Sequence, residues 1–381
     1  MTRSPAPDVV VIGAGVVGAA CADALAEAGL QVFVLEASFA GSGTTAAGMG
    51  HLVVMDDSPA QLALTVWSRQ RWTELAAEMP PACEDVRTGT LWIAATAEEM
   101  DSVRAKRDTY ARAGVASEVL DARALAAAEP ALRAGLAGAL RVPGDRVIYP
   151  PAAARWLIGR AVARGAVHRD RCTVLSIADG AVIVRGAGGG AERVACGAVV
   201  NAAGIDAPRL TPGLAVIPRK GHLVITERHP GLCRHQLAEL GYLASAHTMS
   251  AASTAFNVQP RVTGQLLIGS SRELVDRDAS VNRRVLGEMV ARAIAFVPAI
   301  AATTAIRVWT GFRPATPDNL PLLGAWPGAR GVWIAAGHEG LGITTAPGTA
   351  AIITAGILGR TPPIDAAPFA PARVMPALSA A

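Results

Sequence analysis

Aromatic residues are scarce in this 381-residue chain, where Phe, Trp and Tyr together make up 4%. Bases of single-stranded nucleic acids stack on such rings, so the scarcity argues against a nucleic-acid groove. Only two of the 35 basic residues are lysines, Lys106 and Lys220, and no run of five basic residues occurs. The net charge of +4 therefore does not indicate a nucleic-acid partner.

Charged residues are also few, at 17% against roughly 25% in an average globular protein. Hydrophobic residues make up 51% of the chain, which excludes a disordered protein. The length predicts two or three interlocked domains. So large an apolar fraction is also typical of chains that cover one face with partner subunits.

Cysteine and histidine show no ligand spacing. The five cysteines are scattered without a C-x-x-C pair, and the seven histidines have no metal-type pattern either. We therefore expect reduced, buried thiols in the cytoplasm, and neither a metal site nor an iron–sulfur cluster.

Two long apolar runs resemble membrane segments, and neither predicts a transmembrane span. Asp23 and Glu27 interrupt the run that starts at Val9. In the run 331–359 the only formal charge is Glu339, which lies near the middle, and several glycines and Pro347 also break it.

The N-terminus has the pattern of a βαβ unit that binds a dinucleotide. A β-branched strand over 9–12 precedes Gly13-x-Gly15-x-x-Gly18, and a helix to Ala28 and a second strand over 31–35 follow. The glycines allow a sharp turn, the approach of a pyrophosphate and close helix packing. Glu36 ends the second strand, where a carboxylate can bind ribose hydroxyls. This acidic residue disfavours NADP and leaves NAD and FAD open.

Two further glycine-rich segments favour FAD over NAD. The run 41–51 consists almost entirely of small residues, which allows the backbone to lie along an extended ligand. The loop 337–344 (GHEGLGIT) precedes a helix whose N–H groups could stabilise the negative charge of a reduced flavin.

The remaining pattern predicts one hairpin, four separate strands and two helices. The hairpin turns at Asp179-Gly180, and two of the strands are expected to lie in a second, mixed sheet. The predicted elements are strands at 173–178, 181–184, 198–204, 223–226, 266–269 and 331–337, and helices at 282–296 and 348–358.

These motifs, in this order, resemble the D-amino-acid-oxidase superfamily of FAD oxidoreductases, which includes glycine oxidase and sarcosine oxidase. The resemblance rests on the N-terminal glycines with Glu36, on the run 44–49, on Gly311-Phe312-Arg313-Pro314 and on the loop at Gly337. The segments 44–51 and 337–345 are similar to the flavin subunits of D-hydroxyproline dehydrogenase, octopine/nopaline oxidase and hydrogen cyanide synthase.

The resemblance implies an α/β fold with a discontinuous Rossmann-like FAD-binding domain over 1–85, 148–215 and 305–381. A mixed β-sheet substrate domain with helices would comprise 86–147 and 216–304. It also implies companion redox subunits that carry an iron–sulfur centre, a second flavin or an NAD-type site. Such partners would place the chain in the cytoplasm or at the membrane periphery.

The activity that the resemblance implies is dehydrogenation of an amino or imino acid of the D-hydroxyproline or D-proline type. The C–N bond would become an imine by hydride transfer to flavin N5, in the catalytic subunit of a hetero-oligomer. Three alternatives stay open: an opine oxidase or glycine-oxidising hydrogen cyanide synthase subunit, a stand-alone glycine or sarcosine oxidase, and a passive electron-transfer subunit.

Arg313 matches the family arginine that binds the substrate carboxylate, and His51 is a candidate for a base or a ligand of the amine. Two positions depart from the relatives. Gly311 stands where sarcosine oxidases carry the flavin-linked cysteine, which predicts non-covalent FAD. Glu339-Gly340 stands where glycine oxidase has a second arginine. The further substrate-binding candidates are Met49, Tyr242, Gln259, Arg261 and Glu339.

The residues predicted to contact FAD lie in seven segments of the chain. They are Gly13, Gly15, Val16, Val17, Gly18, Glu36, Ala37, Thr44, Thr45, Ala47, Gly48, Met49, Val174, Ala203, Gly204, Gly311, Arg313, His338, Gly340, Leu341, Gly342, Ile343 and Thr344.

Overall fold

The computed structural model describes residues 6–186, 188–240 and 252–374. In chain order the strands are β1 (Val9–Ile12), β2 (Val32–Leu35), β3 (His51–Leu52), β4 (Thr90–Ala94), β5 (Glu118–Asp121), β6 (Gly138–Val142), β7 (Arg146–Val147), β8 (Val167–Arg169), β9 (Thr173–Ala178), β10 (Ala181–Arg185), β11 (Ala191–Ala195), β12 (Ala198–Asn201), β13 (Ile217–Arg228), β14 (Gln236–Glu239), β15 (Ala252–Pro260), β16 (Gln265–Leu274), β17 (Ala305–Ala315), β18 (Leu322–Ala325) and β19 (Val332–Ala336). The α-helices are α1 (Val16–Glu27), α2 (Gly43–Ala47), α3 (Pro59–Leu75), α4 (Glu99–Arg112), α5 (Ala122–Ala128), α6 (Pro150–Ala163), α7 (Ala207–Leu210), α8 (Arg283–Phe296) and α9 (Gly342–Ile357).

A six-stranded sheet carries the predicted dinucleotide motif. Its strand order is β18-β19-β12-β1-β2-β8, and every neighbouring pair is parallel except β18 with β19. All four residues of β1 are buried, as expected for a parallel strand that is covered on both faces. The alanine-rich helix α1 packs against both α6 and α9, because its small side chains allow close helix contact.

The second large sheet has eight strands in the order β17-β13-β16-β15-β14-β4-β6-β5. It is mixed, since β14 pairs with β4 in parallel and the other pairs are antiparallel. Helix α8 covers one face, and the stacked rings of Phe256 and Phe296 lie 4.4 Å apart. The predicted α/β fold with a second, mixed sheet is confirmed.

Most of the predicted elements are present, and the last helix differs at its start. The hairpin joins β9 and β10 through Asp179-Gly180. Helix α9 begins at Gly342 rather than at 348 and contains Pro347. A proline inside a helix removes one backbone donor. This helix tolerates Pro347 because a side chain of α3 supplies a donor to the freed carbonyl.

Strand β17 pairs with β13 from Ala305 to Ala315, so the eight-stranded sheet extends beyond residue 304. The apolar stretch 331–359 folds as β19, a loop and α9. Among the described residues, no helix is long and apolar enough to cross a bilayer.

Candidate active site

A cavity of about 480 Å³ is lined by residues from both large sheets. The six-stranded sheet contributes the loops after β1, β12 and β19, and the eight-stranded sheet contributes β13, β15, β16 and β17. The predicted residues that line this cavity are Gly13, Gly15, Val16, Val17, Glu36, Thr44, Thr45, Ala47, Gly48, Met49, His51, Ala203, Gly204, Gly311, Arg313, His338, Glu339, Gly340, Gly342 and Ile343.

The backbone requires glycine at the first and third glycine positions of the dinucleotide motif. Gly13 has φ +100°, and a Cβ there would lie 2.7 Å from the carbonyl oxygen of Ala202. A Cβ on Gly18 would lie 2.0 Å from the carbonyl oxygen of Gly13. Both positions are therefore restricted to glycine, and the N-terminus of α1 stays open to a phosphate.

Glu36 is fixed at the end of β2 by two backbone donors. Its Oε2 accepts the N–H of Ala14 at 2.8 Å, and its Oε1 accepts the N–H of Ser38 at 2.7 Å. Each carboxylate oxygen can accept further hydrogen bonds. The side chain lines the cavity, so it is placed to accept ribose hydroxyls.

Part of the run of small residues forms the short helix α2, and the run lines the cavity as expected of a segment that lies along an extended ligand. Thr45 Oγ1 accepts the N–H of Val16 at 3.0 Å, which ties α2 to the start of α1. Thr44 Oγ1 donates to the carbonyl of Phe312 at 2.7 Å, which ties α2 to β17. The two threonines thus join the dinucleotide loop to the strand that carries Arg313.

Arg313 reaches across β13 from the edge strand β17. Its Nη1 donates to the carbonyl oxygen of Ser271 on β16, 2.9 Å away. A Cβ on Gly221 would lie 2.4 Å from this Nη1 atom, so the absence of a side chain at Gly221 makes room for the guanidinium. A guanidinium has five N–H donors, so donors remain to bind a ligand carboxylate.

Glu339 lies beside Arg313 and is surrounded by arginines. Its Oε1 lies 3.2 Å from Arg272 Nε and 3.9 Å from both Arg219 Nη1 and Arg313 Nε. Burial acts to raise the pKa of Glu339, but Arg272, Arg313 and Arg219 outweigh it and lower the pKa to about 2. The residue adopts φ +46°, and its carboxylate accepts the N–H of Gly340. The cavity therefore has an ionised carboxylate next to a guanidinium.

Two histidines that line the cavity are neutral. Burial lowers the pKa of His51 to about 3 and that of His338 to about 3. His338 Nε2 lies 2.9 Å from Thr349 Oγ1, whereas His51 Nε2 has no hydrogen-bond partner among the residues that the structure describes. The backbone carbonyl of His51 accepts the hydroxyl of Thr344 at 2.9 Å.

The other substrate-binding candidates have different surroundings. Met49 lines the cavity, and Gln259 Nε2 donates to its carbonyl oxygen at 3.0 Å without lining the cavity itself. Arg261 does not line the cavity, because its guanidinium pairs with Glu84 and lies 4.8 Å from the centre of the Tyr149 ring. Tyr242 lies outside the described residues.

Five of the predicted FAD contacts do not line the cavity: Gly18, Ala37, Val174, Leu341 and Thr344. Gly18 packs against the turn at Gly13, and Val174 lies in a hydrophobic core. The Thr344 hydroxyl donates to the first backbone carbonyl of β3. Their contacts with FAD stay predictions.

Conversely, sequence reasoning missed Gly221, Leu223, Asn257 and Ser270, which line the cavity from the eight-stranded sheet. Of these four residues, only Gly221 could have been noticed in the sequence, because it is a glycine close to the predicted strand 223–226.

The residues of the cavity fit FAD. Gly13 and Gly15 line the cavity without side chains, and the start of α1 faces it. Glu36 offers carboxylate acceptors at one end, and the loop before α9 offers backbone N–H groups elsewhere in the cavity. No cysteine is among the described residues that line the cavity. Non-covalent attachment of FAD stays a prediction.

Comparison with known proteins supports the resemblance. The family model described as "FAD dependent oxidoreductase" (DAO) matches residues 8–355. Glycine oxidase of Geobacillus kaustophilus is 30% identical over 375 residues, which cover 95% of this chain and 96% of that protein. Its crystal structure superposes with a TM-score of 0.85 at 28% identity, over 97% of this chain and 99% of that one.

Two further relatives have other activities in their names. D-amino acid dehydrogenase of Cereibacter sphaeroides is 28% identical over 94% of this chain and 93% of its own length. Hydrogen cyanide synthase subunit HcnC of Pseudomonas aeruginosa is 27% identical over 97% of this chain and 96% of its own length.

Proposed function

Because the chain belongs to the FAD dependent oxidoreductase family, and its relatives in that family act on amino-acid C–N bonds, we propose that it dehydrogenates a cyclic imino acid of the D-hydroxyproline or D-proline type. The observation that carries the proposal is the pair of opposite charges, Arg313 and Glu339, in one cavity. An amino or imino acid has a carboxylate and a cationic amine two bonds apart, and this pair is complementary to both.

Arg313 binds the substrate carboxylate in this proposal. Ser271 and the space above Gly221 hold the guanidinium in one orientation, which lowers the entropic cost of binding. The fork of N–H donors matches the two carboxylate oxygens.

Glu339 accepts an N–H of the substrate amine. Its low pKa keeps it ionised, so it binds the amine without taking up a proton. His51 has a lowered pKa and an Nε2 without a partner in the described ranges, and we assign it the orientation of the amine rather than proton uptake. The amine reacts in its unprotonated form, because a protonated nitrogen has no lone pair with which to form the imine, and its proton leaves to solvent. Bound FAD would accept the hydride of the substrate C–H bond, and water would then hydrolyse the imine.

The residues predicted to hold FAD include Glu36 for the ribose, the start of α1 for the pyrophosphate, and the loop 337–342 with the start of α9 for the flavin. The division of the chain stays a prediction: 1–85, 148–215 and 305–381 hold FAD, and 86–147 and 216–304 cover it. Strand β17 would belong to both parts, since it pairs with β13.

We also propose that the chain is the catalytic subunit of a hetero-oligomer that passes electrons to companion subunits. The name of one relative, a subunit of hydrogen cyanide synthase, supports this assembly. All five cysteines are buried and free, so an iron–sulfur centre would have to lie in a partner. The same thiols support a cytoplasmic location.

A stand-alone glycine or sarcosine oxidase is the second candidate, favoured by the similarity to glycine oxidase along almost the whole chain. By the resemblance, Glu339 stands in the loop where glycine oxidase has a second arginine. This difference argues against assigning the glycine specificity of that enzyme to this chain. An opine-oxidising or glycine-oxidising subunit uses the same Arg313 contact. A passive electron-transfer subunit does not explain why two opposite charges line the cavity.

Anaerobic mixing of the holoenzyme with cis-4-hydroxy-D-proline, D-proline, octopine, nopaline, glycine and sarcosine tests the proposal. We expect the two prolines to bleach the FAD absorbance, with little hydrogen peroxide when air is admitted. Bleaching by glycine or sarcosine with stoichiometric peroxide would establish the oxidase instead. No bleaching by either proline would contradict the proposed substrate class.

A further inference from the structure

His222 is a completely buried side chain behind the wall of the cavity. Its neighbours on β13, Gly221 and Leu223, line the cavity, and His222 does not. Successive side chains of a strand point to opposite faces of the sheet. His222 therefore lies on the face that is turned away from the cavity. Ser271 of β16 meets it there, since His222 Nδ1 lies 2.9 Å from Ser271 Oγ.

Ser271 holds β13 with its side chain and Arg313 with its backbone. Its hydroxyl oxygen accepts the backbone N–H of His222 at 2.9 Å. This contact lies in the interval between Lys220 and Val224, where the register of β13 with β16 shifts. The carbonyl oxygen of Ser271 accepts Arg313 Nη1 at 2.9 Å. The hydroxyl thus takes the place of a strand carbonyl in the ladder and leaves the carbonyl of Ser271 to the guanidinium.

Hydrogen bonds define which nitrogen of the His222 ring carries the proton. A backbone N–H can only donate, and the N–H of Asn282 lies with its nitrogen 3.0 Å from His222 Nε2. Nε2 is therefore the acceptor, and the proton of the neutral ring is on Nδ1, which donates it to Ser271 Oγ. Burial lowers the pKa of His222 below its usual value, so the ring is neutral at pH 7.

We propose that His222 is a positioning residue for the carboxylate site. Its Nδ1–H and its backbone N–H both fix the Ser271 hydroxyl, and the carbonyl of the fixed Ser271 orients the guanidinium of Arg313. Strand β17, which carries Arg313, is an edge strand, so only β13 flanks it in the described part of the chain. This inference rests on the proposed function, because it takes Arg313 as the ligand of the substrate carboxylate.

Two substitutions of His222 separate the roles of the two ring nitrogens. The amide nitrogen of an asparagine reaches the position of Nδ1, so His222→Asn retains the donor to Ser271. The amide oxygen of a glutamine reaches the position of Nε2, so His222→Gln retains the acceptor for Asn282 and loses that donor. His235→Gln is the matched control. His235 Nδ1 also bonds a buried side chain, that of Glu129, and His235 does not line the cavity.

The probe is 2-furoate, a carboxylate on a planar five-membered ring that has neither an amine nor an α C–H bond. Its dissociation constant from the holoenzyme is measured by the change in the FAD spectrum. His222→Gln should raise this constant about tenfold, because a misoriented guanidinium loses the contact with both carboxylate oxygens. His222→Asn should stay within about threefold of the unmodified enzyme, and His235→Gln should not differ from it.

Ser271→Ala tests the same bond independently, should His222→Gln fold poorly. It should weaken 2-furoate binding as much as His222→Gln does. The double variant should bind no more than about twofold more weakly than Ser271→Ala alone, because both substitutions act through one contact. Additive losses would show that His222 does not act through Ser271.

Unchanged affinity for 2-furoate in His222→Gln would overturn the inference. Equal losses in His222→Asn and His222→Gln, or an equal loss in His235→Gln, would also overturn it, because a general loosening of the sheet would then explain them. Arg313→Met distinguishes this failure from that of the proposed function. If only Arg313→Met loses the probe, Arg313 binds the carboxylate and this inference alone fails. If the unmodified enzyme does not bind 2-furoate, or Arg313→Met binds it equally well, both fail.

Discussion

The indole N–H of Trp72 donates to the backbone carbonyl of Ile343, 3.0 Å away, and lies 3.1 Å from the carbonyl of Thr344. Pro347 stands four residues after Ile343 and has no N–H, so the carbonyl of Ile343 lacks its helical donor. Trp72 is completely buried on α3 and replaces that donor. The bond thus supports the first turns of α9, where the helix faces the cavity.

Trp72→Phe should destabilise the protein by about 2 kcal/mol, because a buried carbonyl loses its donor and part of an aromatic volume is lost. Urea unfolding followed by circular dichroism measures this change. Trp67→Phe on the same helix is the control, since the Trp67 indole makes no hydrogen bond within the described part of the chain. Equal losses in the two variants would show that ring volume, and not the bond to Ile343, matters.

Arg313→Met should lower kcat/KM on the order of a hundredfold or more, through weaker substrate binding, because the carboxylate loses its charged partner. Arg313→Lys should recover only part of the loss, since an ammonium cannot make the bidentate contact. Steady-state kinetics with an artificial electron acceptor measure both variants.

The control for Arg313 is Arg307→Met. Arg307 lies on the same strand β17, is exposed and sits 5.2 Å from the centre of the Trp309 ring. The Arg307→Met variant should keep the kcat/KM of the unmodified enzyme. An Arg313→Met enzyme with unchanged KM would place the substrate elsewhere and contradict the proposed function.

Glu36→Gln should weaken FAD binding by about tenfold or more. A glutamine has one acceptor oxygen, so either Ala14 or Ser38 loses the partner of its N–H. Retention of FAD after gel filtration, and titration of the apoprotein by flavin fluorescence, measure the effect. Glu27→Gln, at the exposed end of α1, should bind FAD normally. Unchanged affinity in Glu36→Gln would remove the carboxylate from the cofactor site.

The parts of the site that could be predicted from the sequence are those fixed by local backbone geometry. Gly13 and Gly18 are required by contacts within one βαβ unit, so their spacing is visible in the chain. Glu36 follows from the end of the second strand of that unit. Arg313 was found through the resemblance and not through any local pattern.

The parts that could not be predicted depend on the pairing of distant strands. Asn257 lines the cavity because β15 pairs with β16 through a register shift between Thr254 and Asn257. A shift of one residue would send its side chain to the other face. Likewise, the low pKa of Glu339 needs Arg219 from β13 and Arg272 from β16, which are far apart in the sequence.

His338 should make the protein less stable as the pH falls. Burial lowers its pKa from 6.5 to about 3, so the unfolded chain binds a proton below pH 6.5 that the folded protein excludes. The stability that neutral His338 contributes is complete above pH 6.5 and decreases as the pH falls towards 3. Asp145, whose pKa burial raises to about 6, acts in the opposite direction between its unfolded value of 3.8 and 6.

The variant His338→Gln separates the two effects. Glutamine keeps a polar group near Thr349 and does not titrate, while Asp145 stays unchanged. The difference in unfolding free energy, unmodified enzyme minus variant, should therefore decrease from pH 7 to pH 4. Urea unfolding of both holoenzymes at several pH values measures it. Parallel curves would mean that His338 is not a titrating group in this range.

His51→Gln should lower turnover without moving the pH dependence of kcat/KM between pH 5 and 8. A histidine that acts as a base near neutral pH would produce an acid limb close to 6.5. Burial instead lowers the pKa of His51 to about 3, so the residue is already neutral throughout that range. His51 lines the cavity, and its buried Nε2 has no hydrogen-bond partner within the described part of the chain, so the side chain can still orient the amine by a hydrogen bond. Turnover and pH profile of both enzymes, measured with the same substrate, decide the question. A limb near 6.5 that disappears in the variant would restore His51 as the base.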